Sequence, residues 1–236
     1  MRLRAAWEAG CRRVSGEIAL FRSLLPPAMP DLSPETVGNW PVRRGEWVAT
    51  PDAFPGASPS RHTSRPFDLA LSLFLYEGDV REGIRAAKYG GRSDVARTLA
   101  RRLFEAIRGD WADRIPDGFC PTIVPVPIRP WKYFRRGYNF PALVALSLVR
   151  LCGWPCDPLL LRRTGERRPQ AGLPISVRER NVRGAFAARR GARAPAHVLL
   201  VDDVYTSGAT AAACSRTLKM AGAEHIVVLT VARAVF

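Results

Sequence analysis

Two acidic residues followed closely by a run of hydroxyls form the pattern with the clearest chemical use in this chain. Asp202 and Asp203 stand directly after four apolar residues, Val198, Leu199, Leu200 and Val201. Thr206, Ser207, Gly208, Ala209 and Thr210 follow, with a helical run expected over Ala211–Met220. An apolar run of this length suits a strand buried on both faces, the usual condition in a parallel sheet. The carboxylates are then expected where that strand leaves the sheet. Ligands of open α/β sheets sit at this end, facing loop amides and a helix N-terminus. Small residues let backbone N–H groups approach a phosphate, and Thr and Ser hydroxyls add donors. Carboxylates repel phosphate, so Asp202 and Asp203 suit hydroxyl groups beside it. A phosphate with an adjacent diol describes a ribose 5-phosphate. The plain alternative for the same residues is a buried strand followed by an N-capped helix.

A second charged block follows the expected short strand Thr122–Pro127, where Arg129, Lys132, Arg135 and Arg136 fall within a few residues. Planar guanidinium forks make bidentate, charge-assisted bonds to phosphate oxygens. The block is either an anion site at the sheet edge or a basic surface loop. A third block, Arg167–Leu173 with Arg178–Phe186, is polar where a core helix would be apolar. It reads either as a lid that would exclude water from a reactive sugar centre or as a surface helix.

The elements that must position these blocks alternate in type. Leu69–Tyr76 is expected as a strand and Val80–Tyr89 as a helix stopped by Gly90 and Gly91. Ser93 is expected to cap a helix with the apolar stripe Val95, Leu99, Leu103 and Ile107. A helix over Asn139–Leu151 and brief strands at Leu159–Leu161 and Phe186–Ala188 precede the central motif. Ser176 with Glu179 suggests a capping box, Gly222 a helix stop, and Ile226–Ala232 a last strand. Upstream, Trp7, Cys11, Val14, Ile18, Phe21 and Leu25 form one stripe of an amphipathic helix ended by Pro26-Pro27. An irregular stretch runs from there to about Pro66, with short strands near Trp40–Ala49. Strands alternating with helices imply an α/β fold with a parallel sheet covered on both faces.

Composition narrows the function classes. The 236 residues allow one large domain, or a domain with an appendage, and 47% apolar content supports a core. No apolar run approaches the roughly 20 residues of a membrane span, and the N-terminus lacks a signal-peptide pattern, so the expected location is cytoplasmic. The five cysteines are scattered and make no disulfide framework. Cys152 and Cys156 have a spacing that could hold a metal, yet no second pair completes it, which favours packing at a helix end. A net charge of +15 suits nucleic acid, a substrate with several phosphates, or a solvated arginine-rich surface.

Val198–Thr210 also resembles the signature of type I phosphoribosyltransferases, which bind phosphoribosyl pyrophosphate (PRPP). With Tyr76-Glu-Gly, Ala87-Lys-Tyr-Gly-Gly-Arg, the Val124-Pro-Val-Pro strand, Arg136-Gly-Tyr-Asn, Pro169-Gln-Ala-Gly-Leu and Glu179-Arg-Asn-Val-Arg-Gly-Ala-Phe, the chain resembles the ComF family over about Leu69–Arg233. The resemblance implies a type I phosphoribosyltransferase-like sheet over residues 67–236, after an N-terminal helix and extension over residues 1–66. It implies that Asp202 and Asp203 hold the ribose hydroxyls, directly or through Mg²⁺, and that Thr206, Ser207, Gly208, Ala209 and Thr210 hold the 5-phosphate. Arg129, Arg135 and Arg136 would neutralise the pyrophosphate. The implied reaction transfers the phosphoribosyl group to a nitrogen nucleophile, with Asp202 or Asp203 taking the proton. The alternative is an accessory protein for single-stranded DNA uptake that responds to PRPP or a nucleotide without turnover, with Trp131, Tyr133 and Tyr138 stacking on bases. Two departures stand out. No CxxC pair follows Leu20–Pro27, where the family carries a zinc ribbon, so no zinc is expected; and Phe140 stands where the family has glutamine. A base-recognising hood would have to come from residues before Leu69. The acceptor and the oligomeric state are not legible.

Overall fold

The structure, a computed structural model, describes residues 48–49, 65–89, 94–164 and 184–234. The expected N-terminal helix, the stops Gly90 and Gly91, the cap Ser93 and the Ser176–Glu179 capping box lie outside the described residues.

The four-residue run Val198–Val201 does form the central strand. In β6 (His197–Tyr205) Val198 and Leu200 face one side of the sheet, Leu199 and Val201 the other, and all four are buried. Burying four such side chains contributes roughly 6–12 kcal/mol, an upper estimate, at about 1.5–3 kcal/mol each. That is enough to fix β6 in the middle of a sheet. Around it run β7 (His225–Arg233), β2 (Leu69–Leu75) and β3 (Thr122–Pro125), all parallel to their neighbours, with the short β1 (Val48–Ala49) antiparallel on the edge. The order is β1-β2-β7-β6-β3.

One face of the sheet carries α1 (Gly78–Tyr89), α2 (Val95–Arg108) and α4 (Phe140–Cys152). The predicted stripe Val95, Leu99, Leu103 and Ile107 is buried on α2 and meets Phe140, Val144 and Leu148 of α4 in this core. Asp94, with helical backbone angles, occupies the cap position of α2 and makes no side-chain cap bond. The other face carries α5 (Ala209–Met220) and a hairpin of β4 (Leu161–Arg163) and β5 (Phe186–Ala188). Leu160, Phe186, Cys214 and Leu218 meet Val198, Leu200 and Val228 there. The α/β architecture with both faces covered is thus as the alternation implied.

Three local differences bear on the site. The central strand runs on to Tyr205, because β7 continues to pair with it as far as Tyr205↔Arg233. Asp202 and Asp203 therefore lie within the strand rather than beyond its end. The basic block, for which the alternative to an anion site is a basic surface loop, folds over Pro130–Arg136 into a short helix, α3. Pro130 at its first position already has the helical φ and has no N–H to leave unpaired. Cys152 is buried at the end of α4 and half-buried Cys156 bridges to Ile123, which agrees with packing roles. Among the described residues no helix is long and apolar enough to cross a membrane.

Candidate functional site

Consecutive residues of a strand point to opposite faces, and the two carboxylates obey this. On the α1 side, Asp203 Oδ2 accepts from Lys88 Nζ at 2.8 Å, an ion pair shielded from most solvent. Asp202 is on the other side, within electrostatic reach of Arg163 and Cys214, and it pairs in register with Thr230. Its Oδ1 accepts the backbone N–H of Asp203 at 2.8 Å. Burial, and then the charge of Asp203, push the Asp202 carboxyl up to about 7; that backbone hydrogen bond, Lys88 and Arg163 pull the other way. Asp203 is thus ion-paired with Lys88, while Asp202 is poised to give or take a proton.

Asp202 opens onto a pocket lined also by Val204, Tyr205, Thr206, Gly208, Thr210, Ala211 and Thr230. Three of the five residues expected to cradle a phosphate therefore line it: Thr206, Gly208 and Thr210. Ser207 faces another task, since its Oγ accepts the N–H of Ala209 at 3.4 Å and so caps the first turn of α5. Ala209 contributes backbone only. The first N–H groups of any helix have no intrahelical partner, so α5 presents donors and the positive end of its dipole to this pocket. Gly208 occupies the cap position at φ +75°, and a Cβ there would sit 2.3 Å from Tyr205 Oη. Both the backbone conformation and the packed tyrosine ring require glycine. Tyr205 is buried and accepts a hydrogen bond from Arg65. Ser72 Oγ and Thr230 Oγ1 lie 2.6 Å apart in the buried floor nearby.

The basic residues gather at the same end of the sheet. Val126 N–H donates to Val201 O at 2.8 Å, which lays the exit of β3 along β6. Arg129 then caps α3. Burial lowers the Lys132 ammonium, and so do the charges of Arg136, Arg163, Arg129 and Lys88 in that order. Five cations, from α1, β4, α3 and the residue before α3, therefore share one region with Asp202 and Asp203. Lys88 and Arg163 were not singled out from the sequence, because the sheet alone brings them here from distant positions. Arg135 and Arg136 stack against Tyr89, with Cζ 5.8 and 4.3 Å from the ring centre.

One further expectation changes: Tyr138, expected to stack on bases, is buried, and its hydroxyl donates to Ala87 O. The left-handed turn at Gly137 (φ +79°), which ends α3, precedes this buried ring. Exposed aromatic surface is supplied instead by Tyr89 (59%), Trp131 (50%) and Phe134 (84%). Asn139 donates from Nδ2 to Val126 O at 3.0 Å, tying α4 to the exit of β3.

Carboxylate oxygens are the donors that Mg²⁺ takes. Yet Asp203 is already paired with Lys88, burial raises the Asp202 carboxyl and disfavours its charged form, and no cluster of three or more ligating side chains occurs among the described residues. The pair fits contact with a cation carried by a ligand, and does not fit a resident metal centre.

Similar proteins were found by sequence. Competence protein F of Haemophilus influenzae (strain Rd) is 34% identical over 154 residues, covering 64% of this chain and 66% of that protein. The DNA utilization protein YhgH of Escherichia coli K12 is 31% identical over 173 residues, 71% of this chain and 73% of that protein. Competence protein ComFC of Streptococcus pneumoniae R6 is 31% identical over 162 residues, 69% and 67% respectively. No protein-family model matches the chain.

Proposed function

The chain belongs to the ComF family, and from that premise we propose that it binds PRPP at the carboxyl end of its sheet and transfers the phosphoribosyl group to a nitrogen nucleophile. The observation that carries this reading is that Asp202, Thr206, Gly208 and Thr210 line one pocket. The 5-phosphate would take the N–H groups at the start of α5 and the hydroxyls of Thr206 and Thr210. The ribose hydroxyls would lie against Asp202 and Asp203. Arg129, Lys132 and Lys88 would face the pyrophosphate, whose developing negative charge they stabilise as the C1–O bond breaks. Mg²⁺ would travel with the pyrophosphate and neutralise part of its charge. The nucleophile's nitrogen forms the new bond to C1 and passes its proton to Asp202, whose pKa of about 7 suits a base at neutral pH. Holding the two reactants in line accounts for much of the catalysis. The test is release of pyrophosphate from PRPP with Mg²⁺ and a panel of bases and amines. Turnover that disappears in Asp202→Asn supports the reading; no binding of PRPP at millimolar concentration counts against it.

A second reading is favoured by the exposed rings. Tyr89, Trp131 and Phe134 stand among Lys132, Arg135 and Arg136 beside the pocket. Rings for bases and guanidinia for phosphates are what a single nucleic-acid strand requires. Under this reading the protein serves DNA uptake, in keeping with the names of its relatives, and the pocket senses a ligand without turnover. Binding of single-stranded DNA should then fall steeply as salt rises. An absence of binding even at low ionic strength removes this reading.

A further inference from the structure

In the short hairpin beside α5, Leu161 is buried, Arg162 is exposed and Arg163 turns back inward. An arginine thus occupies a position where the alternation of the strand calls for an apolar residue. Its guanidinium lies against the ring of Phe186, its register partner, with Cζ 5.0 Å from the ring centre. The stem is held firmly, since Thr164 donates from N to Ala185 O at 2.9 Å and from Oγ1 to Gly184 O at 2.9 Å. Nε of Arg163 is buried without a hydrogen-bond partner, and among the described residues no carboxylate comes within 4.0 Å of the guanidinium. Arg129 is the charge that acts on it most strongly, and it is of like sign; Asp202 acts more weakly in its favour.

A partly buried cation that faces another cation and lacks a counter-ion costs free energy. Such a cost is tolerated where a ligand of opposite charge removes it. We infer that Arg163 is a diphosphate-binding residue next to the pocket, directing its guanidinium N–H groups to the same anion that Arg129 and Lys132 face. This inference rests on the phosphoribosyl reading above and adds a residue from a separate element to it. Phe186 pre-orients the fork, so little side-chain freedom is lost when the anion arrives.

The test uses the full chain and three probes: inorganic pyrophosphate, PRPP with Mg²⁺, and ribose 5-phosphate, each titrated by calorimetry. In Arg163→Gln the dissociation constants for pyrophosphate and PRPP should rise at least about tenfold, the scale of a lost charge-assisted bond, while that for ribose 5-phosphate changes less than about twofold. Arg163→Lys should fall between, since it keeps the charge and loses the fork. The unliganded Arg163→Gln protein should melt at a higher temperature than wild type, whereas a merely structural arginine predicts a lower one. Unchanged pyrophosphate affinity in both variants overturns the inference, as does an equal loss for all three probes. A wild type that binds pyrophosphate but not ribose 5-phosphate sinks the ribosyl reading and leaves the role of Arg163 standing. A wild type that binds none of the three overturns both.

Discussion

At the amino ends of β6 and β7, His197 and His225 stand side by side, and their surroundings are settled. Phe119 stacks on His197 with ring centres 5.4 Å apart, and His197 Nδ1 accepts the N–H of Cys120 at 3.1 Å. Asp68 accepts the N–H of Ile226 at 2.7 Å and lies 3.7 Å from His225 Nδ1. Toward the carboxyl ends of the same two strands, Asp202 and Thr230 are the paired residues, and ionisable groups lie close together. Two acids adjoin, one of them held at a pKa near 7, and Lys132 and Arg163 are each acted on by neighbours of like charge. The strands and their hydrogen-bond ladder are common to both ends. What differs is the concentration of interacting charges, and the proposed ligand site lies at the end that carries it.

Substitutions matched across the two ends sharpen this contrast. The largest effect is expected for Gly208→Ala, where left-handed backbone and overlap with Tyr205 act together. It should lose roughly 2–4 kcal/mol of stability in urea denaturation. Gly222→Ala, near the other end, has φ +110° but its nearest neighbour is 3.4 Å from the added Cβ. There only backbone strain acts, and the loss should be about 1–2 kcal/mol. Equal losses would mean that the tyrosine ring does not restrict the cradle.

Next comes Asp203→Asn, which should weaken PRPP·Mg²⁺ binding by about 1–3 kcal/mol in calorimetry. His225→Asn should leave that affinity unchanged. A comparable loss at both positions would erase the distinction between the ends.

Stability against pH tests the frustrated acid without any ligand. The folded protein raises Asp202 from 3.8 to about 7, so it keeps a proton that the unfolded chain has released. Stability from this group is complete below about pH 4 and is lost as pH rises through about 7. Asp202→Asn should remove that slope and exceed wild type in stability at pH 8. If instead the variant is less stable there, the carboxylate is already satisfied in the free protein. The smallest effects are expected on the rim. Trp131→Ala and Phe134→Ala should each weaken single-stranded DNA binding by about 1 kcal/mol in a fluorescence titration, with PRPP affinity unaltered.

Legibility followed the range of the interactions. The Val198–Val201 run and the stripe of α2 are local hydrophobic patterns, and both were readable from spacing alone. That Asp202, Thr206, Gly208 and Thr210 share one pocket was readable because chemistry and spacing coincide within nine residues. Helix α3 was not, because Trp131–Arg136 has no apolar period and no buried residue to reveal one. Tyr138 misled for a related reason, since a ring among arginines gives no sign of a left-handed turn that buries it. Lys88 and Arg163 lie 115 and 40 residues from Asp203 along the chain. Only strand order brings them together, and no local pattern carries strand order. A buried arginine at an inward strand position is the nearest thing to a signal, and it needs the strand's facing to be known first.

The most direct measurement is an amide NMR titration of the isotope-labelled protein with PRPP and Mg²⁺. The amides of Thr206–Thr210 and Asp203 should shift in a saturable manner, while those of Cys120 and Ile226 stay in place. No saturable shift, or shifts centred on the histidine end, would contradict the assignment of the pocket.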